Sequence, residues 1–345
     1  MFYIILWIFN FLCFLTLKKS RYTGKFFFIL LFIVLAAAST LRGLVGTDTH
    51  SYEHIIEEYI NQVGKLNWEP VFGFLFYGFA DLTQSPTLTV RLVTLSISVV
   101  FFAYFIYASK DEAFVFVIYF LPVFYFSYSM NALRLGMGSV FILHAAHQLA
   151  RYKYVNFTGL GALAVLSHYS HALSVFYLYL LSRKIAIKWY FLSVILVPLF
   201  FLLLFYFKHQ YFSEKLNLYL TFSAPSIFSG APKVLSCILL ILAGLTSSIS
   251  RELKIRFALL SLAMLFLAYS LVFISYAGLR FLDLISFLIP LAFLNLHTSE
   301  KETLTKSSKW LIATASVISL LFLYRSFVNE EHSSISPFLP YKLLF

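Results

Sequence analysis

Charged residues are scarce in this sequence. Of its 345 residues only 12% are Asp, Glu, Lys or Arg, whereas 61% are hydrophobic and 20% are aromatic. A soluble domain usually carries about 25% charged residues. The composition therefore excludes an ordinary soluble globular protein and points to a chain embedded in a lipid bilayer.

Cysteine is scarce as well, and several catalytic motifs are missing. The two cysteines, Cys13 and Cys237, both lie inside apolar segments, which suggests neither a disulfide framework nor a thiolate metal site. A P-loop, a GxSxG elbow and a CxxC pair are all absent from the sequence. ATP hydrolysis and serine or thiol catalysis therefore have no support.

What the sequence does contain is a series of apolar runs from end to end. Because one transmembrane helix needs about 20 apolar residues, the length allows about 10–12 membrane segments. We predict an all-α, polytopic transmembrane helical bundle that forms a single domain over residues 1–345. The predicted crossings lie near 3–17, 25–44, 87–108, 113–130, 132–150, 189–207, 233–250, 257–276, 278–297 and 308–327.

Two segments do not fit a simple series of crossings. Residues 69–82 are too short to span, and we predict a re-entrant or interfacial helix there. Residues 155–182 are too long for one plain span and carry SHYSHA in their middle, so we predict two short helices that meet at a polar break.

The formal charge of +11 is better explained by membrane topology than by nucleic-acid binding, because Lys and Arg collect in cytoplasmic loops. Basic residues follow the first apolar run instead of preceding it, which argues against a cleaved signal peptide and favours an outward N-terminus. With this orientation most Lys and Arg residues lie in cytoplasmic loops. The loops near 45–68 and 208–232 then face outward, as do most of the polar candidate residues.

A cluster of titratable side chains follows the second span, in VGTDTHSYEHIIEEYI. This stretch predicts an amphipathic helix on the outer membrane surface, with Tyr52 on its apolar face, while Asp48 or His50 points into a site. His50 and His54 share a helix face, but the Glu that a zinc protease places after its first His is absent. We therefore predict no metal site.

Three arginines lie at or near membrane boundaries: Arg42, Arg134 and Arg280. A charge at a helix centre costs about 2.5–3.5 kcal/mol on insertion scales, so it persists where it meets a cavity, a partner or a substrate. Each arginine has two interpretations. It is either an anion clamp, or a structural residue that snorkels to the interface (Arg42, Arg134) or pairs with Asp283 (Arg280).

Glu69, His168 and His171 are further candidates. Glu69 precedes a short apolar helix, where it is either an acid or base of the site or a charge favoured by the helix dipole. His168 and His171 flank the predicted break, where a histidine suits proton transfer near neutral pH or bonds a neighbouring carbonyl.

Several motifs occur in an order that resembles a known family. After the Arg that ends the second span come VGTDTHSY, EPVFGFL, NALRLGMG at the opening of a middle helix, and HYSHALSVFY after a further turn-back. This order is similar to that of the EpsG-type branch of the Wzy oligosaccharide-repeat polymerases. The motifs cover residues 40–175; Leu135 departs from the Gln that the family often has at that position.

The resemblance implies a GT-C-like glycosyltransferase of the bacterial inner membrane that works on the periplasmic face without a cofactor or metal. Such enzymes transfer a growing glycan from undecaprenyl diphosphate onto the sugar end of a new lipid-linked repeat unit, as in O-antigen and lipopolysaccharide biosynthesis. Donor and acceptor are then lipid-linked oligosaccharides within the membrane. The further partners would be a flippase and a Wzz-like chain-length regulator, with no nucleic acid.

With this chemistry, Arg134 would stabilise the departing diphosphate, with Arg280 and Arg42 as helpers. Asp48 or His168 would remove the proton of the acceptor hydroxyl. The other candidates for substrate binding are Asn131, Glu69, His50, Tyr52 and His171. The aromatic side chains that could stack on sugars, or equally form an interfacial belt, are Tyr52, Trp68, Tyr125, Tyr128 and Tyr169.

Three other functions stay open at this point. An O-antigen ligase uses the same donor and usually has a larger periplasmic loop than 208–232. A polysaccharide flippase or transporter predicts pseudo-repeats and charges spread through both halves, and the sequence shows neither. A sugar acyltransferase needs a donor entry from the cytoplasmic side, which an outward-facing cluster does not supply.

Overall fold

The computed structural model is all-helical over the residues that it describes, and no strand occurs among them. The described residues are 5–9, 11–12, 21–64, 68–182, 206, 228–273, 277–328 and 341. The helices are α1 (Arg21–Thr40), α2 (Thr47–Ile60), α3 (Pro70–Thr83), α4 (Pro86–Tyr107), α5 (Lys110–Asn131), α6 (Leu133–Ala150), α7 (Tyr154–Ser167), α8 (His171–Leu180), α9 (Ala231–Leu245), α10 (Arg251–Val272), α11 (Ala277–Glu300) and α12 (Lys306–Val328).

Five of these helices, α4, α5, α10, α11 and α12, are long and apolar enough to cross a membrane. Their outer faces carry many exposed large apolar side chains, such as Val99, Leu259 and Phe266. Such faces suit lipid better than water. The prediction of a polytopic helical membrane protein is confirmed, whereas the count of 10–12 segments and the likeness to GT-C enzymes stay predictions. The predicted crossing 189–207 lies almost wholly outside the described residues, and most of 3–17 does too.

The two segments that do not fit simple crossings form short helices. Helix α3 has 14 residues, which at about 1.5 Å per residue is shorter than the bilayer core of about 30 Å. Pro70 opens it at a position where no N–H is needed, and Gln84 closes it in the left-handed conformation. Residues 155–182 form α7 and α8, which are separated at His168–Ser170, so the predicted break is confirmed.

The described residues form two compact units. The first takes the residues up to Ala145, Val155–Ala172 and those from Leu320 onward, and the second takes Ala146–Tyr154 and those from Leu173 to Ser319. The single domain stays a prediction.

A buried polar cluster joins three helices of the first unit. The Tyr125 hydroxyl of α5 lies 2.9 Å from the hydroxyls of Ser39 in α1 and Ser98 in α4. These buried hydroxyls satisfy one another's hydrogen-bonding capacity. Tyr125 is 1% exposed and so is part of the core, not a surface for sugars.

In the second unit, α9, α10 and α11 pack closely. Gly244 of α9 makes room for Phe257 of α10, because a Cβ at Gly244 would lie 2.3 Å from the Phe257 ring. Lys233 of α9 forms an ion pair with Asp283 of α11. Asp283 is also the carboxylate that the sequence offered as a local partner for Arg280.

Candidate active site

The site is built around the hairpin between α5 and α6. Helix α5 ends in a π-helical turn, Ser127–Asn131, and Ala132 leaves helical geometry before α6 begins at Leu133. Gly136 permits this tight reversal, since a Cβ there would lie 2.2 Å from the Tyr128 carbonyl oxygen. The reversal leaves the last carbonyls of α5 without helical partners and places the N-terminus of α6 beside them.

Arg42 supplies the missing partners. Its side chain is wholly buried, and its Nη1 and Nη2 donate to the carbonyls of Ser129 (3.4 Å) and Met130 (3.0 Å). Nη2 also donates to the Thr49 hydroxyl (3.4 Å), while Nε donates to the carbonyl of Val45 (3.1 Å). Arg42 thus ties the end of α1, the start of α2 and the end of α5 together.

The start of α2 is held against the same hairpin. Gly46 has φ +100°, and a Cβ there would lie 2.7 Å from the Met130 carbonyl oxygen, so both its backbone and its surroundings favour glycine. The Asp48 backbone N–H then donates to Asn131 Oδ1 at 3.1 Å. Asp48 and Asn131, which are 83 residues apart in sequence, are therefore adjacent.

Arg134 lies in the first turn of α6 and pairs with Glu69. Its Nη1 lies 3.2 Å from Glu69 Oε2, and the guanidinium lies 5.8 Å from the centre of the Trp68 ring. The Glu69 side chain is fully buried, whereas that of Arg134 is 22% exposed. Glu69 precedes α3 but makes no side-chain cap, so its carboxylate serves the pair with Arg134 and not the helix end.

Tyr52 of α2 interacts electrostatically with both Asp48 and Arg134. Its ring lies among Trp68, Phe72 and Phe76, with centroids 5.8–6.2 Å apart. Burial raises the pKa of the Tyr52 hydroxyl, Asp48 adds to the rise, and Arg134 acts in the opposite direction. Tyr52 is therefore a neutral hydroxyl at physiological pH, close to Arg134 and Asp48.

The two histidines of the break differ. His171 is wholly buried, its Nε2 lies 3.2 Å from the Leu135 carbonyl oxygen, and it packs on Gly138 of α6. His168 is half-buried, and its Nδ1 lies 2.6 Å from the Ser170 hydroxyl. The contacts of His171 fit the structural interpretation, whereas His168 has the exposure that a catalytic role needs.

A family model matches residues 25–343, nearly the whole chain. The chain belongs to the EpsG family. This is a family of Wzy-like polymerases, so the resemblance inferred from the motifs is confirmed. No curated protein matches the chain. No solved structure matches it either.

Family membership does not assign residue roles, and the structure brings together only some of the candidates. In this EpsG-family chain Arg280 belongs to the second unit. The candidates that belong to the first unit are Arg42, Asp48, Tyr52, Glu69, Asn131, Arg134, His168 and His171. His50 points to the exposed side of α2, and Arg280 is half-buried at the start of α11. Their roles in binding stay predictions.

The described part of the chain contains no group of three His, Cys, Asp or Glu side chains that could hold a metal ion. His54 instead pairs with Glu58 one turn along α2, at 3.5 Å.

One charged residue of this region was not among the sequence candidates. Arg91 lies in the apolar helix α4, with its side chain 5% exposed, and its Nη2 lies 3.4 Å from Glu53 of α2 and 3.1 Å from the Gly43 carbonyl oxygen. The sequence does mark this residue, because Arg91 is the one charged residue in the apolar span Pro86–Tyr107.

Proposed function

We propose that this protein joins lipid-linked oligosaccharide repeat units into O-antigen or a related surface polysaccharide, at the periplasmic face of the bacterial inner membrane. The family supports a membrane polymerase. The observation that carries the proposal is the Arg134 guanidinium, which is partly exposed and lies beside a buried carboxylate in a chain with few charges.

The chemistry needs a group that receives negative charge. The donor would be a growing glycan on undecaprenyl diphosphate, and its departure places charge on phosphate oxygens. A guanidinium stabilises that charge through charge-assisted, bidentate hydrogen bonds, and more strongly in a dry site than in water. We assign this role to Arg134. Arg42 has a structural role instead, because its N–H groups donate to backbone carbonyl and hydroxyl oxygens.

The chemistry also needs a proton acceptor for the sugar hydroxyl of the acceptor. A positioned carboxylate or imidazole contributes about 10²–10⁴-fold. Asp48, Glu69 and His168 are the titratable candidates of the first unit. Trp68 and Tyr169, both half-buried, are the aromatic side chains that could hold the sugars. A flippase that delivers the repeat units and a chain-length regulator are the partners we propose.

Deletion of the gene tests the proposal. We expect the deletion strain to carry surface glycan capped with a single repeat unit, and complementation to restore the ladder of chain lengths on a gel. A strain with no glycan on its lipid core would identify a ligase instead. An unaltered ladder would exclude both activities.

A further inference from the structure

Glu69 is the best-shielded carboxylate of the site. Its side chain is fully buried, and its Oε2 lies 3.2 Å from Arg134 Nη1. Tyr169 of the break lies close enough to interact with it electrostatically. Buried glutamates are rare unless they are paired, and removing the partner of such a group is costly. The pair therefore stays together until another anion competes for Arg134.

We propose that Glu69 is the catalytic base of the polymerase, and that Arg134 covers it until the donor diphosphate draws the guanidinium away. The inference rests on the function proposed above. Arg134 is the more exposed partner, 22% against 0%, so an incoming diphosphate meets the guanidinium first. A diphosphate carries more charge than a carboxylate and binds the guanidinium fork through two oxygens.

The exchange turns Glu69 into a proton acceptor at the right moment. Once the guanidinium binds the diphosphate, it no longer covers Glu69 Oε2, and the carboxylate can accept the proton of the acceptor hydroxyl. In the resting enzyme the base is covered, so water is not activated against the donor. Catalysis then requires the donor to bind before the acceptor hydroxyl is deprotonated.

The other two candidates are less suited to this task. Asp48 lies in the first turn of α2, with its backbone N–H bound to Asn131 Oδ1. It is also half-exposed, in a site where Glu69 is dry. The Nδ1 atom of His168 is already engaged with the Ser170 hydroxyl at 2.6 Å.

The step is balanced as follows. The acceptor hydroxyl oxygen forms a bond to the anomeric carbon of the donor glycan, and its proton passes to the Glu69 carboxylate. The bond from the anomeric carbon to the diphosphate oxygen breaks, and the electron pair stays on the diphosphate, beside Arg134. The proton passes from Glu69 to water when the undecaprenyl diphosphate departs and Arg134 returns.

The test is Glu69→Gln in the full-length protein, purified in detergent. Gln keeps the size of the side chain and an oxygen that accepts from Arg134, but it does not take up a proton. Turnover is followed on lipid-linked repeat units extracted from the deletion strain. Binding is followed with undecaprenyl diphosphate by native mass spectrometry. The matched control is Glu57→Gln on the exposed side of α2.

We expect Glu69→Gln to lower kcat by about 100-fold or more, as loss of a general base does. Binding of undecaprenyl diphosphate should be equal or tighter, because Arg134 no longer has a charged partner. Glu57→Gln should match the wild type. A Glu69→Gln enzyme with wild-type kcat would overturn the assignment of the base. One that loses lipid binding together with turnover would show that Glu69 only positions Arg134.

Glu69→Asp keeps the experiment decisive if the Gln variant does not fold. It retains the charge but withdraws the carboxylate by one methylene, so kcat should fall by about 10-fold or more while lipid binding is retained. Unchanged kcat in this variant would overturn the assignment. If the wild-type protein itself does not extend the extracted repeat units, the proposed function fails, and that result is distinct from failure of the role of Glu69.

Discussion

The Arg42 guanidinium donates to the Met130 carbonyl at 3.0 Å, which joins the end of α1 to the π-helical end of α5. The Thr49 hydroxyl reaches the same carbonyl at 3.3 Å, so the start of α2 is fixed at the same point. The neighbours of these residues in the chain, Asp48 and Asn131, form the next contact. A buried cation thereby sets the geometry of a site that its own side chain does not line.

Arg42→Lys should destabilise the protein and abolish polymerisation. Lysine has three donors on one atom and lacks the planar fork, so several buried carbonyl and hydroxyl oxygens lose their partners. Each buried group left unsatisfied costs about 1–3 kcal/mol. The measurement is the midpoint of thermal unfolding in detergent, together with the ladder in a complemented deletion strain. Arg256→Lys, which changes an ion pair with the exposed Glu252, is the control and should leave both unchanged.

Arg134→Ala should remove polymerisation while the protein still inserts and accumulates. The variant deletes the guanidinium that we assign to the diphosphate, and Arg134→Lys should also perform badly because a point charge does not replace a bidentate fork. The ladder and the amount of membrane-inserted protein are measured together.

Lys306→Ala, which removes an exposed charge at the start of α12, serves as the matched loss of a cation and should leave the ladder intact. Normal chain lengths with Arg134→Ala would contradict the clamp assignment.

Local patterns predicted the helices well, for a physical reason. Apolar runs, a proline and a polar break each act within a few residues. In the structure a helix begins at Pro70, and two helices are separated at SHYSH. From the sequence alone, Gly136 and Gly138 could make room either for a packed helix or for a ligand. Their surroundings, a carbonyl of Tyr128 and the ring of His171, decide for packing.

Long-range pairs were beyond the reach of local patterns. Glu69 and Arg134 are 65 residues apart, and nothing in either motif indicates the other. Arg42 illustrates the same limit, because a snorkelling arginine, a substrate clamp and a fully buried brace look alike at the end of an apolar run. Only its hydrogen-bond partners, Val45 and Thr49 near the start of α2 and Met130 at the end of α5, distinguish the brace.

Gly138→Ala should impair the site through His171. A Cβ at Gly138 would lie 2.1 Å from His171 Cδ2 and 3.1 Å from the Ala164 carbonyl oxygen, so the ring must move away from the Leu135 carbonyl. Overpacking of this kind costs about 1–3 kcal/mol. We expect a lower unfolding midpoint and a shortened ladder.

Gly159→Ala tests whether the effect comes from the contact and not from the substitution itself. It makes the same change in α7, where a Cβ would meet nothing within 4 Å. A gain in helix propensity predicts equal or slightly higher stability there. Equal loss in both variants would contradict the proposed displacement of His171.

Glu53→Gln should destabilise the first unit through Arg91. The Nη2 of Arg91 lies 3.4 Å from Glu53 Oε1, and among the described residues its Nε and Nη1 have no hydrogen-bond partner. Without the Glu53 charge, a guanidinium that is 5% exposed keeps only its bond to the Gly43 carbonyl. Because Glu53 is itself 16% exposed, we expect a loss of about 1–3 kcal/mol in the free energy of unfolding, below the cost of a fully buried pair.

Thermal unfolding of Glu53→Gln beside Glu57→Gln, an exposed position on the same helix, measures the difference. Equal midpoints for the two variants would mean that the Arg91 charge is balanced by something other than Glu53.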